Sequence, residues 1–256
     1  MEYLPSLFYL CPLVFIAGFI DSIAGGGGTI TIPAYMLTGM PVHLAFGTNK
    51  FSASLGTAVA TGRFLKNKSI DVRTAVISSV FSLLGAAVGS RLALMLDDRT
   101  FRLLLIIALP CVAAFLVFRK EKTYENGHES LSPRKSAALA SVIGLSIGLY
   151  DGIIGPGTGT FAIIAYNVFM GYDLRTASGN AKVLNLASNV ASLFTFAFAG
   201  NVLFVIGLPA AVAGVAGNYI GAGFAIRRGA KFIRPMLFAV LAILLIKVIY
   251  DFVTMA

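Results

Sequence analysis

Charge is scarce in this sequence. Of 256 residues only 12% are Asp, Glu, Lys or Arg, where a soluble domain carries about a quarter. Too few charges remain to cover a core of this mass with an aqueous surface, so an ordinary water-soluble enzyme is excluded. Tryptophan is absent and histidine occurs only twice, which leaves no material for a His/Glu metal cluster and makes a membrane-embedded metalloenzyme a distant reading. Cys11 and Cys111 both lie in apolar runs; neither a disulfide framework nor a cysteine zinc site follows from them. No cofactor is expected. A Gly-Lys-Ser/Thr phosphate loop is also missing, and a glycine run that follows an apolar helix is not a dinucleotide fingerprint.

What is abundant is apolar sequence, 57% of the chain, together with 27 glycines. Five apolar segments precede residue 119, at positions 4–24, 29–44, 46–64, 73–96 and 101–118, where crossing a hydrocarbon core of roughly 30 Å takes ~20 helical residues. The second and third are marginal. No Lys or Arg precedes residues 4–20, so the basic n-region of a signal peptide is missing and the segment reads as a retained membrane helix. Residues 119–136 form the one long polar stretch, with Glu121, Glu125, Glu129, Ser130 and Pro133, and read as a linker outside the bilayer. The expected fold is an all-α polytopic membrane protein of about 8–10 transmembrane helices, some short or broken around glycine-rich loops. It divides into a first repeat over 1–118, a cytoplasmic linker over 119–136 and a second repeat over 137–256, which together make one membrane domain.

The duplication is visible in the residues. A shift of 130 pairs Gly18 with Gly148, Asp21 with Asp151, Gly25 with Gly155 and Gly27 with Gly157. A shift of 132 then pairs Gly39 with Gly171, Ala45 with Ala177, Gly47 with Gly179, Lys50 with Lys182, Gly85 with Gly217, Gly89 with Gly221 and Arg102 with Arg234. Matches that include charged residues inside apolar segments are not explained by shared Gly/Ala richness.

The basic residues report orientation. The chain has 20 Lys and Arg against 11 Asp and Glu, a balance that in a soluble protein would suggest nucleic acid. Here most of the excess crowds three connections: Arg63, Lys66, Lys68 and Arg73; Arg119, Lys120, Lys122, Arg134 and Lys135; Arg227, Arg228, Lys231 and Arg234. Connections rich in Lys and Arg stay in the cytoplasm. The counterpart of 63–73 in the second repeat, near 199–203, has no basic residue, so the two should lie on opposite sides. That opposition requires an odd number of crossings per repeat, met by five crossings or by three plus a re-entrant pair, and gives two repeats of inverted topology.

Three groups of residues are candidates for chemistry. The glycine loops Gly25-Gly26-Gly27-Gly28-Thr29 and Gly155-Pro156-Gly157-Thr158-Gly159-Thr160 end one helix and start another. The new N-terminus offers unpaired N–H groups and the positive end of a dipole to an anion; the plainer reading is a tight turn between helices. Gly47-Thr48-Asn49-Lys50 and Gly179-Asn180-Ala181-Lys182 each place a lysine in a membrane segment, at a cost on the order of 2.5–3.5 kcal/mol. Lys182, Asn185 and Asn189 fall on one helical face. Asp21 and Asp151, each four residues before its glycine loop, would carry a coupling proton or act as counter-ions to the lysines. His43 and Arg175 occupy matched corners and read as ordinary interfacial residues, Arg175 as an ion pair with Asp173. Gly85-xxx-Gly89 and Gly217-xxx-Gly221 read as close-packing faces.

These residues resemble a known family. Phe19-Ile20-Asp21-Ser22-Ile23-Ala24-Gly25-Gly26-Gly27-Gly28, then Pro33 and Gly47-Thr48-Asn49-Lys50, is similar to the first-repeat signature of the TauE/SafE sulfite and sulfonate transporters. Tyr150-Asp151-Gly152-Ile153-Ile154-Gly155-Pro156-Gly157-Thr158-Gly159-Thr160 with Ala177-Ser178-Gly179-Asn180-Ala181-Lys182 is similar to its second. Asn180 departs from the Thr expected there, which touches substrate choice. The resemblance implies a multi-pass secondary carrier of the cell inner membrane, moving sulfite or a small sulfonate such as sulfoacetate and driven by protons; an anion channel or a small-carboxylate carrier is the alternative. The anion is expected between the repeats at Asn49, Lys50, Asn180, Lys182 and Asn185, near Gly26, Gly27, Gly28, Gly157 and Thr158. Partners are then the anion, membrane lipid and protons as the candidate coupling ion, with no nucleic acid.

Overall fold

A computed structural model describes residues 3–97, 99–101, 103–104, 131–229, 231–233 and 235–236. Most of the expected fifth apolar segment (101–118), the linker to residue 130, Cys111, the Arg102/Arg234 match and the chain beyond 236 lie outside the described residues.

Eight α-helices lie wholly among the described residues. A 3-10 turn at Leu4–Ser6 leads into α1 (Leu7–Ala24), followed by α2 (Gly28–Met36), α3 (Val42–Lys66) and α4 (Val72–Leu94). The second half repeats the order as α5 (Pro133–Ile153), α6 (Thr158–Met170), α7 (Leu174–Phe198) and α8 (Phe204–Arg228). Local sequence sets most boundaries. Asp71, Ser132 and Asp173 cap α4, α5 and α7 by accepting backbone N–H groups of the first turn, which these short polar side chains do well. At Gly25 the backbone turns left-handed (φ +74°) and its N–H closes on Asp21 O at 2.8 Å; a residue without Cβ adopts that geometry freely, so α1 stops there. Pro133 begins α5, so the last residues expected in the linker form a first helical turn instead.

Among the described residues, five helices are long and apolar enough to cross a membrane, counting α1 with its leading turn: α1, α4, α5, α7 and α8. Their surface fits that role. Val76, Val80, Leu83, Leu84 and Val88 line the exposed side of α4, and Val205, Leu208 and Val212 that of α8, whereas Ser78, Ser82, Ser90, Asn185, Ser188 and Asn218 are buried. Apolar side chains outside and polar ones inside is the reverse of a soluble domain and suits a hydrocarbon solvent. The apolar segment expected over 29–44 does not persist: α2 ends at Met36 and a turn precedes α3. At ~1.5 Å per residue, nine residues rise about 13 Å, less than half of the core thickness.

Glycines set the packing and with it the sense of each helix. Gly144, Gly148 and Gly152 of α5 bring their Cα atoms onto the backbone of Ser78, Ser82 and Ala86 of α4, so the two helices run in the same sense. Gly217 and Gly221 of α8 do the same on Phe15 and Phe19 of α1. Phe51, Gly56 and Arg63 of α3 meet Gly207, Asn218 and Gly223 of α8 in rising order. Ser82 and Ser90 of α4 bond to Leu184 and Ser192 of α7. Phe46, at the start of α3, instead lies against Phe196 at the end of α7, with ring centroids 5.3 Å apart. Thus α1, α3 and α8 run one way and α4, α5 and α7 the other, and every long helix opposes its sequence counterpart. Because α1 and α3 share a sense, the short α2 segment returns the chain between them.

The contacts themselves are duplicated. Gly85 packs on Leu145 and Leu149 as Gly217 packs on Phe15 and Phe19, and Gly47 meets the Asn201 carbonyl as Gly179 meets that of Ser69. Near the centre the two glycine loops touch: Gly25 and Gly159 abut, and Thr160 donates its hydroxyl to Ala24 O at 2.7 Å.

Candidate functional site

The loops that interrupt the helices are built alike. Thr29 donates its hydroxyl to Gly26 O at 2.7 Å, and Thr158 donates to Gly155 O at 2.6 Å, each tying the first residues of the new helix to the loop before it. Both loops therefore present a helix N-terminus, of α2 and of α6, to the middle of the protein.

The lysines of α3 and α7 reach across to the opposite half. Lys50 Nζ lies 2.7 Å from Asp151 Oδ2 and also donates to Asp151 O at 2.9 Å. Lys182 Nζ lies 2.6 Å from Asp21 Oδ2. Each lysine thus pairs with the acid of the other repeat. The remaining oxygens are occupied too: Asp151 Oδ1 accepts the Thr158 hydroxyl at 2.8 Å, and Asp21 Oδ1 the Gly27 N–H at 3.2 Å. Side-chain exposure is 2% for Lys50 and 3% for Asp151, 0% for Lys182 and 13% for Asp21. A charge so buried must be matched, since an unpaired one costs about 3–5 kcal/mol.

A cavity of about 50 Å³ opens beside these pairs. At roughly 10–15 Å³ per water-sized probe it has room for a few waters or one small anion. From the first half it is lined by Asp21, Gly27 and Gly28 with Asn49, Lys50, Ser52 and Thr57; the second half adds Asp151, Thr158, Gly159, Asn185, Asn189 and Asn218. Asn49 is 4% exposed and its Oδ1 has no hydrogen-bond partner, an acceptor left for a water or for a guest that carries a proton.

Of the residues expected at the site, Asn49, Lys50, Asn185, Gly27, Gly28, Thr158, Asp21 and Asp151 come together around this cavity. Gly26, Gly157, Asn180 and Lys182 do not line it. Gly26 and Gly157 serve the loop turns. Lys182 is sealed behind Asp21. Asn180 faces the corner between α3 and α4, where its Oδ1 accepts the Asp71 N–H at 2.9 Å; Thr48 holds Leu203 N–H at 2.9 Å at the repeat-equivalent place. At the corner after α6, the Asp173 carboxylate is taken up by the α7 cap, and the Arg175 guanidinium donates to Ser69 Oγ at 2.8 Å and Asn67 O at 3.4 Å in place of the expected pair with Asp173. The stretch Gly144-Leu145-Ser146-Ile147-Gly148 has the spacing of a hydrolase nucleophile elbow, but it runs through the middle of α5 with Ser146 exposed, without the strand and sharp turn that chemistry needs. Ser52, Thr57 and Asn218 are lining residues that the sequence reading passed over. Thr57 was within reach, because a shift of 132 places it on Asn189.

These features define a multi-pass membrane protein assembled around an internal, charge-paired cavity. The chain belongs to the TauE/SafE family of membrane transporters: residues 10–248 match the family described as "Sulfite exporter TauE/SafE". A "Probable membrane transporter protein" of Haemophilus influenzae is 34% identical over 237 residues, 93% of this chain and 92% of the relative. The "Probable membrane transporter protein ORF9" of Sinorhizobium sp is 33% identical, covering 96% and 93%, and the "Probable membrane transporter protein YfcA" of Escherichia coli K12 is 32% identical, covering 98% and 95%. The chain is accordingly a transporter and not an enzyme. No solved structure matches it.

Proposed function

We propose that this transporter is a proton-coupled secondary carrier of the inner membrane that moves a small sulfur-containing anion, sulfite or a small sulfonate, by alternating access between two inverted repeats. The observation that carries the reading is the pair of reciprocal ion pairs, Lys50 with Asp151 and Lys182 with Asp21, at a small cavity between the halves. Two lysines and two carboxylates cancel, so the empty site is neutral. An arriving anion unbalances it, and an unmatched charge in a low-dielectric interior is costly. One proton on Asp21 or Asp151 for each negative charge restores neutrality and frees a lysine to hold the anion. Anion and proton are then favoured guests only together, which is the thermodynamic content of coupling.

Lys50, the Asn49 Nδ2 group and the Gly28 N–H at the start of α2 supply the donors for the anion, and protonation of Asp21 releases the Gly27 N–H to join them. The small cavity favours a compact anion, and sulfur chemistry is brought by the family's description. The opposed senses of equivalent helices and the basic connection at 63–73 support inverted repeats. The test is reconstitution in liposomes with radiolabelled sulfite. A carrier gives saturable counterflow and uptake accelerated by an inward proton gradient, and Asp21→Asn or Asp151→Asn changes its pH profile. Currents without counterflow would replace this reading with a channel.

A further inference from the structure

The cavity is lopsided with respect to the repeats. It touches α3 and α7 at equivalent positions, Thr57 and Asn189, yet it takes Gly214 and Asn218 from α8 and nothing from α4. The repeat counterparts of those two residues are Ser82 and Ala86. Neither reaches the cavity, and the Ser82 hydroxyl is bonded to Leu184 O at 3.0 Å; Gly148 seats on Ser82 as Gly18 seats on Gly214, so the inequality lies in cavity access and not in the glycine packing. The lysines divide in the same way: Lys50 lines the cavity, whereas Lys182, wholly buried, is screened from it by the Asp21 carboxylate.

We propose that Lys182 is a second anion-binding lysine, used in turn with Lys50. In the conformation described, Lys50 holds the anion from one side of the membrane. When the α4, α5 and α7 side opens and the α1, α3 and α8 side closes, the two halves exchange roles and Lys182 holds it from the other. This rests on the carrier reading above. Each lysine already has the acid of the opposite repeat as its resting partner, so the exchange needs no new charge in the interior.

The experiment measures KM for radiolabelled sulfite from each face of sided proteoliposomes. It compares wild type with two charge-balanced doubles, Lys50→Gln with Asp151→Asn and Lys182→Gln with Asp21→Asn, neither of which leaves a lone buried charge. Each double is expected to raise KM about tenfold or more, but from opposite faces, the loss of roughly 1.4 kcal/mol of anion binding. Lys50→Arg and Lys182→Arg, which keep every charge and should fold, must show the same opposed sidedness in smaller degree. Changes from the same face for both lysines, or equal changes from both faces, overturn the proposal while leaving the carrier intact. Absence of counterflow in the wild type overturns the carrier reading, and the alternation with it.

Discussion

Removing one member of the Lys50–Asp151 pair should be far worse than removing both. The two side chains are 2% and 3% exposed and 2.7 Å apart. In Lys50→Met the Asp151 carboxylate keeps only the Thr158 hydroxyl as a side-chain partner, and an abandoned buried charge costs about 3–5 kcal/mol. For a chain of this size each kcal/mol moves the melting temperature by about 2–4 °C, so a fall of about 6–20 °C is expected. Lys50→Met combined with Asp151→Asn removes the whole charge pair and should recover most of that loss. The second pair adds a finer expectation. Asp21 is 13% exposed and Lys182 not at all, so Asp21→Asn, which strands the lysine, should cost more than Lys182→Met, which leaves a carboxylate with access to the cavity. Thermal unfolding in detergent followed by circular dichroism suits a chain without tryptophan. If Lys50→Met melts within about 2 °C of both the wild type and the double variant, the pair does not hold the interior as argued.

Other outcomes follow from the packing. Gly159→Ala drives a methyl into Gly25 and should cost about 1–3 kcal/mol by overpacking, whereas Gly62→Ala in α3 meets nothing within 4 Å and should gain about 0.4–1 kcal/mol; the same melting curves compare them. Asn180→Ala should lower stability by about 1–3 kcal/mol through the lost bond to Asp71 N–H and leave KM for sulfite unchanged, as measured in liposomes. A change in KM would return Asn180 to the binding site. In a background with Cys11 and Cys111 replaced by Ser, single cysteines at Lys68 and Asn201 should react with an impermeant maleimide from opposite faces of the membrane. Labelling from one face alone would dismiss the inverted arrangement.

Much of this was legible in the chain because it depends on local or periodic chemistry. Apolar length and missing charge give membrane helices; that Asp71, Ser132 and Asp173 cap three of them was seen only in the structure. The glycine loops predict helix breaks, and breaks are found at Gly25 and Gly155. The segment over 29–44 misled because apolar composition does not register a turn: Leu37, Thr38, Gly39 and Met40 read as a continuation of α2 although the chain reverses there. Asn218 was overlooked because a single Asn in an apolar helix carries no signal until it is known what faces it, whereas Thr57 carried one, its register with Asn189.

By itself the sequence determined that this is a duplicated, all-helical membrane protein and that two lysines and two acids recur at equivalent places, since hydropathy and repetition are properties of the covalent chain. Only the tertiary structure decided the partners. Lys50 pairs with Asp151, 101 positions away, and Lys182 with Asp21, 161 away, because each half folds against the other rather than on itself. It also decided that Asn180 fastens a corner instead of facing the cavity, and that Lys50 and Lys182, equal in sequence, are unequal in access. Spacing along a helix fixes which face a side chain takes, but what that face meets depends on where the other helices lie.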